Sequence, residues 1–179
     1  MAAAFADDPV WRYLVPKRER WDRGAAKTFQ ADAANRLRHG HVYTFDGCPA
    51  AAVWSPPGHW KITPAELIRE VPPVLRLFGR HLFGVLKTLR FIEQHHPLEP
   101  PHWYLASLGT EPKSQGKGLG SALLQPVLER CDTEGLPAYL ESSNEHNLAF
   151  YARQGFEPSE PVDLGDGGPP VWPMWRTPR

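Results

Sequence analysis

A glycine-rich hexapeptide is the segment of this chain best suited to bind an anion. It runs Gln115-Gly116-Lys117-Gly118-Leu119-Gly120, between an apolar run, Trp103 to Leu108, and an amphipathic run that starts at Ser121. Glycines allow a tight turn, so that successive backbone N–H groups and the dipole of a following helix converge on one phosphate. The order predicts strand, phosphate-binding loop and helix, although a purely structural turn uses the same residues.

Two common phosphate loops are excluded by their spacing. A Walker loop places Gly-Lys-Ser/Thr four residues after its first glycine, whereas here Lys117 is followed by Gly118 and Leu119. The dinucleotide fingerprint opens the first unit of a doubly wound sheet, and too little chain follows Gly120 to build one.

Written as Gln-x-x-Gly-x-Gly, the loop resembles the acetyl-CoA pyrophosphate site of the GCN5-related N-acetyltransferases. Residues 137–143, PAYLESS, resemble that family's next strand, and residues 147–156, NLAFYARQGF, resemble its following helix and glycine stop. The resemblance is strong over roughly the last eighty residues and weak between Ser55 and Pro101. It implies an α/β fold with a mixed, largely antiparallel twisted sheet, in which central parallel strands splay apart between flanking helices.

The resemblance also implies a reaction and a cofactor site. Acetyl-CoA would donate an acetyl group to a primary amine by direct attack in a ternary complex. Backbone amides at the end of the strand would bind pantetheine and polarise the thioester carbonyl, and those of the loop would hold the pyrophosphate. Lys117 either adds a charge or is simply solvated, and Asn147 either bonds the pantetheine arm or is only a polar residue of the first helical turn. The predicted cofactor-binding residues are Leu108, Gly109, Thr110, Gln115, Gly116, Lys117, Gly118, Leu119, Gly120 and Asn147.

Tyr151 is the predicted proton donor for the departing thiolate, by its position in the family pattern. The ordinary pKa of tyrosine, about 10, lies near enough to that of a thiol, about 8.5, for this transfer to be feasible. Periodicity alone favours the alternative, a packed tyrosine whose hydroxyl merely finds a partner.

Glu141 is the candidate general base. Some relatives carry a glutamate on the strand before the loop, but residues 103–110 contain no acid. Glu141 ends the second splayed strand, near the expected entry of the amine; the alternatives are a structural carboxylate and deprotonation through water. His59 could instead reach the acceptor, although a solvent-facing loop residue is the simpler interpretation. The pair His95-His96 lacks the acid and spacing of a metal site and is expected to end a helix, so no metal site is predicted.

Length and composition fit a single domain over residues 1–179. The chain has 20 basic and 20 acidic side chains, so no electrostatic pattern indicates nucleic acid or an anionic membrane. Cys48 and Cys131 are too few for a disulfide framework, and both are expected to be buried thiols. No signal peptide or spanning segment is visible, so we expect a soluble, cytoplasmic protein.

Periodicity in the first half predicts helices around one hairpin. A helix from Lys17 to Arg38 carries an apolar stripe at fourfold spacing, ending at Leu37, and strands 41–46 and 48–54 flank the turn Asp46-Gly47. A helix starting at Thr63-Pro64 is expected to be interrupted at Pro72-Pro73. A second helix, up to Ile92, is apolar on more than one side, which predicts either a lining for the acceptor site or a core and dimer face.

The remaining segments complete the expected sheet. The helix after the loop should bury Leu124, Val127, Leu128 and Cys131 and end at Gly135. Residues 156–164 and 171–176 are predicted to form a closing pair of strands, with Pro173 indicating an edge or a bulge. The chain starts in a segment that resembles the end of the family's first helix, so the usual first edge strand is expected to be missing.

The acceptor predicted from these features is a small-molecule amine of aminoglycoside-like, nucleoside-antibiotic or amino-acid-derived type. A possible homodimer is the only protein partner expected. Two alternatives stay open: acetylation of protein amino groups, which requires an open groove, and a non-catalytic CoA-binding module.

Overall fold

The computed structural model describes residues 1–61, 63–79, 82–165 and 167–179. Within these ranges, none of the helices combines the length and apolar content that a membrane-spanning segment needs. Short 3-10 turns join some of the elements. In chain order the elements are α1 (Pro9–Leu14), α2 (Arg18–Arg36), β1 (Val42–Thr44), β2 (Ala50–Ser55), α3 (Pro64–Phe78), α4 (Leu82–His95), β3 (Trp103–Thr110), α5 (Leu119–Glu134), β4 (Ala138–Ser142), α6 (Leu148–Arg153), β5 (Glu157–Pro158), β6 (Val162–Asp163) and β7 (Pro170–Arg176).

One sheet organises the molecule, in the strand order β1-β2-β3-β4-β7-β5, with β6 paired to β7. Every neighbouring pair is antiparallel except β3 and β4. The predicted α/β fold with a mixed, largely antiparallel sheet is therefore confirmed. The described residues before α1 form turns rather than a strand, and β1 lies at the edge of the sheet.

Two apolar clusters hold the helices in place. The first packs α5 against β2, β3 and β4, and it buries all four residues predicted for the inner face of α5. The second joins α1, α2 and α3 around Trp21, Phe29 and Leu77. Gly24 makes this second contact possible, because a Cβ there would lie 2.9 Å from the Cα of Leu77. Leu37, expected on the buried stripe of α2, is instead 55% exposed, since α2 has ended before it.

The predicted break at Pro72-Pro73 is wrong. Helix α3 continues through both prolines and ends at Phe78, where Gly79 takes a φ of 53°. Proline's fixed φ is compatible with a helix, whereas a left-handed residue cannot continue one. The Arg20 guanidinium donates a hydrogen bond of 2.9 Å to the Phe78 carbonyl and so caps this end.

Two further expectations need correction. Cys48 is exposed in the loop after β1, and only Cys131 is buried, where burial raises the pKa of its thiol to about 12. Pro173 does not mark a sheet edge, because β7 lies between β4 and β5. It sits opposite Glu141, where the β5 ladder ends, and its carbonyl still accepts from the Ser159 N–H at 2.8 Å.

The helical region 75–92, which is expected to line the acceptor site, is described only in part. Leu75 and Leu86 are 47% and 46% exposed, so part of the apolar surface faces outward. The side chains of Val85, Leu89 and Ile92 lie outside the described residues.

Candidate active site

The glycine loop presents backbone donors at the start of α5. Gly116 and Gly118 have φ values of 74° and 77°, a region that favours glycine. The first intrahelical bond runs from the Ala122 N–H to the Gly118 carbonyl, so the three N–H groups before Ala122 precede the helical ladder. No side chain of the described residues caps this end. The loop therefore has the geometry of an anion site at a helix N-terminus.

A cavity of about 600 Å³ opens at this loop. Its volume lies within the range of pockets that hold small ligands and cofactors. Of the ten predicted cofactor-binding residues, nine line it: Leu108, Gly109, Thr110, Gln115, Gly116, Gly118, Leu119, Gly120 and Asn147. Lys117 lies outside this lining as the described residues define it, and its side chain is exposed.

The cavity lies beside the end of β3, where this strand has parted from β4. β3 and β4 are paired in parallel at only two positions, Trp103 with Ala138 and Tyr104 with Tyr139. The rest of β3, up to Thr110, stays paired with β2. Backbone groups of β3 beyond Tyr104 therefore face a gap on the β4 side, where they are available to a ligand.

Tyr151 lines the same cavity from α6 and is 8% exposed. Burial, and then the negative charge of Asp8, raise the pKa of its phenol above the ordinary value. The hydroxyl therefore stays protonated throughout the physiological pH range. It is available as a hydrogen donor, but it is a weaker acid than the ordinary value implied.

The N-terminal segment forms one wall of the cavity, which sequence reasoning missed. Ala4 and Phe5 line it and pack so closely on Gly109 that a Cβ there would lie 3.0 Å from the Cβ of Ala4. Asp8 lines it too and accepts hydrogen bonds from two N–H groups of α1 and from the Ser143 hydroxyl. The Asp8-Pro9 pair is a signal for a helix start that could have located this segment.

Glu141 lies outside the cavity lining that the described residues define, on β4 beyond the point where the strands part. An oxygen of its carboxylate lies 3.2 Å from Nδ1 of His96, and its side chain is 11% exposed. His96 follows α4 directly, as expected for a helix end, and it is buried. His59 is exposed and packs against His39, so the structure does not bring it to this site.

Two tyrosines face the Glu141 carboxylate, Tyr104 from the neighbouring strand β3 and Tyr139 from β4 itself. Burial, followed by the negative charge of Glu141, raises the pKa of both Tyr104 and Tyr139. Neither residue was a predicted site residue. Their alternation with the buried Trp103, Leu105, Ala138 and Leu140 could have placed both on one face of the sheet.

Comparisons with known proteins agree with this geometry. The family model described as the acetyltransferase (GNAT) family matches residues 8–156. An uncharacterized N-acetyltransferase of Schizosaccharomyces pombe is 50% identical over 167 residues, which cover 86% of this chain and 66% of that relative.

Solved structures show the same fold. A structure described as histone acetyltransferase HPA2 and related acetyltransferase from Corynebacterium glutamicum is 25% identical, with a TM-score of 0.63 and coverage of 99% of this chain and 87% of that one. An agmatine N-acetyltransferase in its apo form is 16% identical, with a TM-score of 0.63 and coverage of 98% and 90%. Because the family model spans most of the sequence, the chain belongs to the acetyltransferase (GNAT) family.

Proposed function

We propose that this chain transfers the acetyl group of acetyl-CoA to the primary amine of a small molecule, with Tyr151 as proton donor and Glu141 as the base. Acetyl-CoA would supply an activated thioester carbonyl. The single observation that carries the proposal is the cavity that joins the end of β3, where β4 has parted from it, to the uncapped start of α5.

The residues of the cavity fit a pantetheine diphosphate. The gap beside β3 offers backbone hydrogen bonds to an extended amide arm, and the N–H groups at Gly118 to Gly120 suit a diphosphate. The same β3 amides would polarise the thioester carbonyl, because donors aimed at a developing oxyanion stabilise it.

Tyr151 is placed to protonate a leaving group inside the cavity. The same burial that raises the pKa of its phenol would raise that of a thiol departing into the same pocket, since desolvation disfavours both anions. Transfer between the two groups therefore stays feasible, although both differ from their ordinary acidity.

The acceptor side favours a cationic amine. Glu141 is a mostly buried carboxylate that faces Tyr104 and Tyr139 and contacts His96, on which Trp60 stacks. Such a site suits an ammonium group. Glu141 would first pair with the ammonium and then remove its proton, which leaves the neutral amine that attacks.

The class of small amine is inferred from sequence likeness. Residues 102–156 resemble puromycin N-acetyltransferase, as do residues 50–54, and this likeness favours an acceptor of nucleoside-antibiotic type. The solved neighbours on this fold include an enzyme named for agmatine, but at 16% identity that likeness concerns the fold alone.

The test is release of CoA thiol from acetyl-CoA in the presence of a panel of amines and N-terminal peptides. Steady release with small amines supports the proposal, release with peptides alone indicates a protein acetyltransferase, and binding of acetyl-CoA without release indicates a non-catalytic module. The variant Glu141→Gln should lose the acidic limb of the pH profile of kcat/KM. Glu145→Gln is a matched control on an exposed residue, and an unchanged limb in Glu141→Gln would remove Glu141 as the base.

A further inference from the structure

Two buried histidines stand in a row behind the proposed base. Glu141 contacts Nδ1 of His96 at 3.2 Å, and Nε2 of His96 contacts Nε2 of His102 at 3.2 Å. Nδ1 of His102 lies 2.7 Å from the carbonyl oxygen of Pro100. His96 and His102 are 4% and 5% exposed, so water has little access to either ring.

When Glu141 is ionised and both imidazoles are neutral, the row has one hydrogen too few for its three contacts. The Pro100 carbonyl only accepts, so the hydrogen of a neutral His102 lies on Nδ1, and its Nε2 is left as an acceptor. His96 must then donate from Nε2 to His102, which leaves its Nδ1 without a hydrogen toward the Glu141 carboxylate. Three contacts are present, but two neutral imidazoles supply only two N–H groups.

One additional proton completes all three contacts, and it has three possible positions. It can lie on Glu141 as a carboxylic acid, on His96 as an imidazolium, or on His102 as an imidazolium after His96 has turned its hydrogen toward Glu141. These three forms differ only by shifts of hydrogens along existing contacts. The arrangement does not point to a metal site, because the two contacts of His96 use opposite nitrogens and the lone pairs do not converge.

The surroundings isolate this row. Trp60 stacks on His96 at 3.8 Å, and the edges of Tyr104 and Tyr139 meet the same ring. Trp175 packs against His102 at 5.0 Å. The charged groups that act on it are Glu141 from β4 and Glu99 from the loop before β3, and Arg36 of α2 acts on Tyr104. Burial, the largest influence, lowers the pKa of His102, which disfavours the form that carries the extra proton on that ring.

We propose that Glu141, His96 and His102 act as one proton-accepting unit for the acceptor amine, an inference that rests on the proposed function. The N–H bond of the ammonium breaks and an O–H bond forms on Glu141. That proton can pass to Nδ1 of His96 as the Nε2 hydrogen of His96 passes to His102. No electron transfer or further reactant is needed. His96 and His102 are positioning residues in this scheme, because neither touches the amine.

The first test counts protons in the free protein, without any activity. Nitrogen-15 NMR of the two imidazoles should show His102 protonated at Nδ1 and His96 protonated at Nε2. It should also show one further proton shared along the row, which is lost as the pH rises. His102 with its hydrogen on Nε2 alone, or no shared proton at any pH at which the protein is folded, would overturn the proposal. This result is independent of whether an acceptor has been found.

The second test uses His102→Phe, which keeps the ring packing and removes the acceptor for His96. In this variant a neutral His96 can donate from Nδ1 to Glu141 with no contact left unpaired. An extra proton therefore completes no further contact, and its binding is less favourable than in the wild type. The acidic limb of kcat/KM should move to lower pH by roughly half to one unit, with a lower plateau. His95→Phe, on the exposed neighbour, is the matched control and should keep the wild-type limb.

An unchanged limb and plateau in folded His102→Phe would overturn the relay while leaving the acetyltransferase proposal intact. The opposite pattern, the predicted NMR result in a protein that releases no thiol with any amine, would overturn the proposed function. Should His102→Phe fail to fold, the NMR count on the unsubstituted protein decides the question alone.

Discussion

Alanine at Gly118 should weaken acetyl-CoA binding by an amount that follows from the backbone. Gly118 has φ 77° and ψ 1°, and no atom of the described residues lies within 4 Å of a Cβ built there. The substitution therefore introduces no clash, only the left-handed conformation, which costs an L-residue about 1–2 kcal/mol. Gly118 is exposed and no described side chain caps the helix there, so in the alanine variant the unliganded loop can leave the left-handed conformation. Binding of acetyl-CoA must then restore that conformation and bears its cost.

That energy corresponds to a rise in the Kd for acetyl-CoA of roughly 5- to 30-fold. The measurement is isothermal titration of acetyl-CoA into folded protein, together with the free energy of unfolding in urea. Gly135→Ala is the matched control: it ends the same helix with φ 66° and open space around the Cβ, far from the loop. It should lose unfolding free energy by a similar amount and bind acetyl-CoA normally. Wild-type affinity in Gly118→Ala would refute the assignment of these amides to the diphosphate.

Three further predictions concern single side chains. Tyr151→Phe should lower kcat by about 10²- to 10⁴-fold in the thiol-release assay and leave the Kd for acetyl-CoA unchanged; unchanged turnover would exclude Tyr151 as the donor. Burial raises the pKa of Asp8, so the native state binds this proton more tightly than the unfolded state and stability falls as pH rises from about 3.9 through the raised value. The unfolding free energy of Asp8→Asn, relative to the wild type, should therefore rise as the pH increases through this range, and that of the exposed control Asp7→Asn should not. Identical pH dependence in Asp8→Asn and the wild type would contradict this. Arg176, through its hydrogen bonds of 2.8 and 2.7 Å, lowers the pKa of Asp132, so this stabilisation is present above about 3.9 and is lost as pH falls through the lowered value. Asp132→Ala should lose about 1–2 kcal/mol of unfolding free energy at neutral pH and little in acid. The exposed control Glu129→Ala on the same helix should show no such pH-dependent loss.

The cofactor half of the site was predictable because its signals are local. The loop at Gln115 to Gly120, the buried face of α5 and the glycine that ends it lie within one continuous stretch of chain. Each depends on backbone conformation or on helical periodicity, and both are readable from neighbouring residues. The parting of β3 and β4 came from the family resemblance, since no periodicity encodes it.

The acceptor half was not predictable in the same way. His96 and Glu141 are 45 positions apart along the chain, and only the sheet and the end of α4 bring them together. A histidine after a helix looks like a surface residue until tertiary packing buries it. The break at Gly79 also depends on a distant residue, because Arg20 of α2 binds the carbonyl at which α3 ends.

The gap beside β3 has a consequence for the exchange of amide hydrogens with solvent. One edge of β3 is bonded to β2 from Tyr104 to Thr110, with a bulge at Ala106, whereas the other edge loses its partner after Tyr104. Successive amides of a strand point to opposite edges. Deuterium uptake in the free protein should therefore alternate from slow to fast over residues 107–110, beyond the bulge, and acetyl-CoA should slow only the fast set.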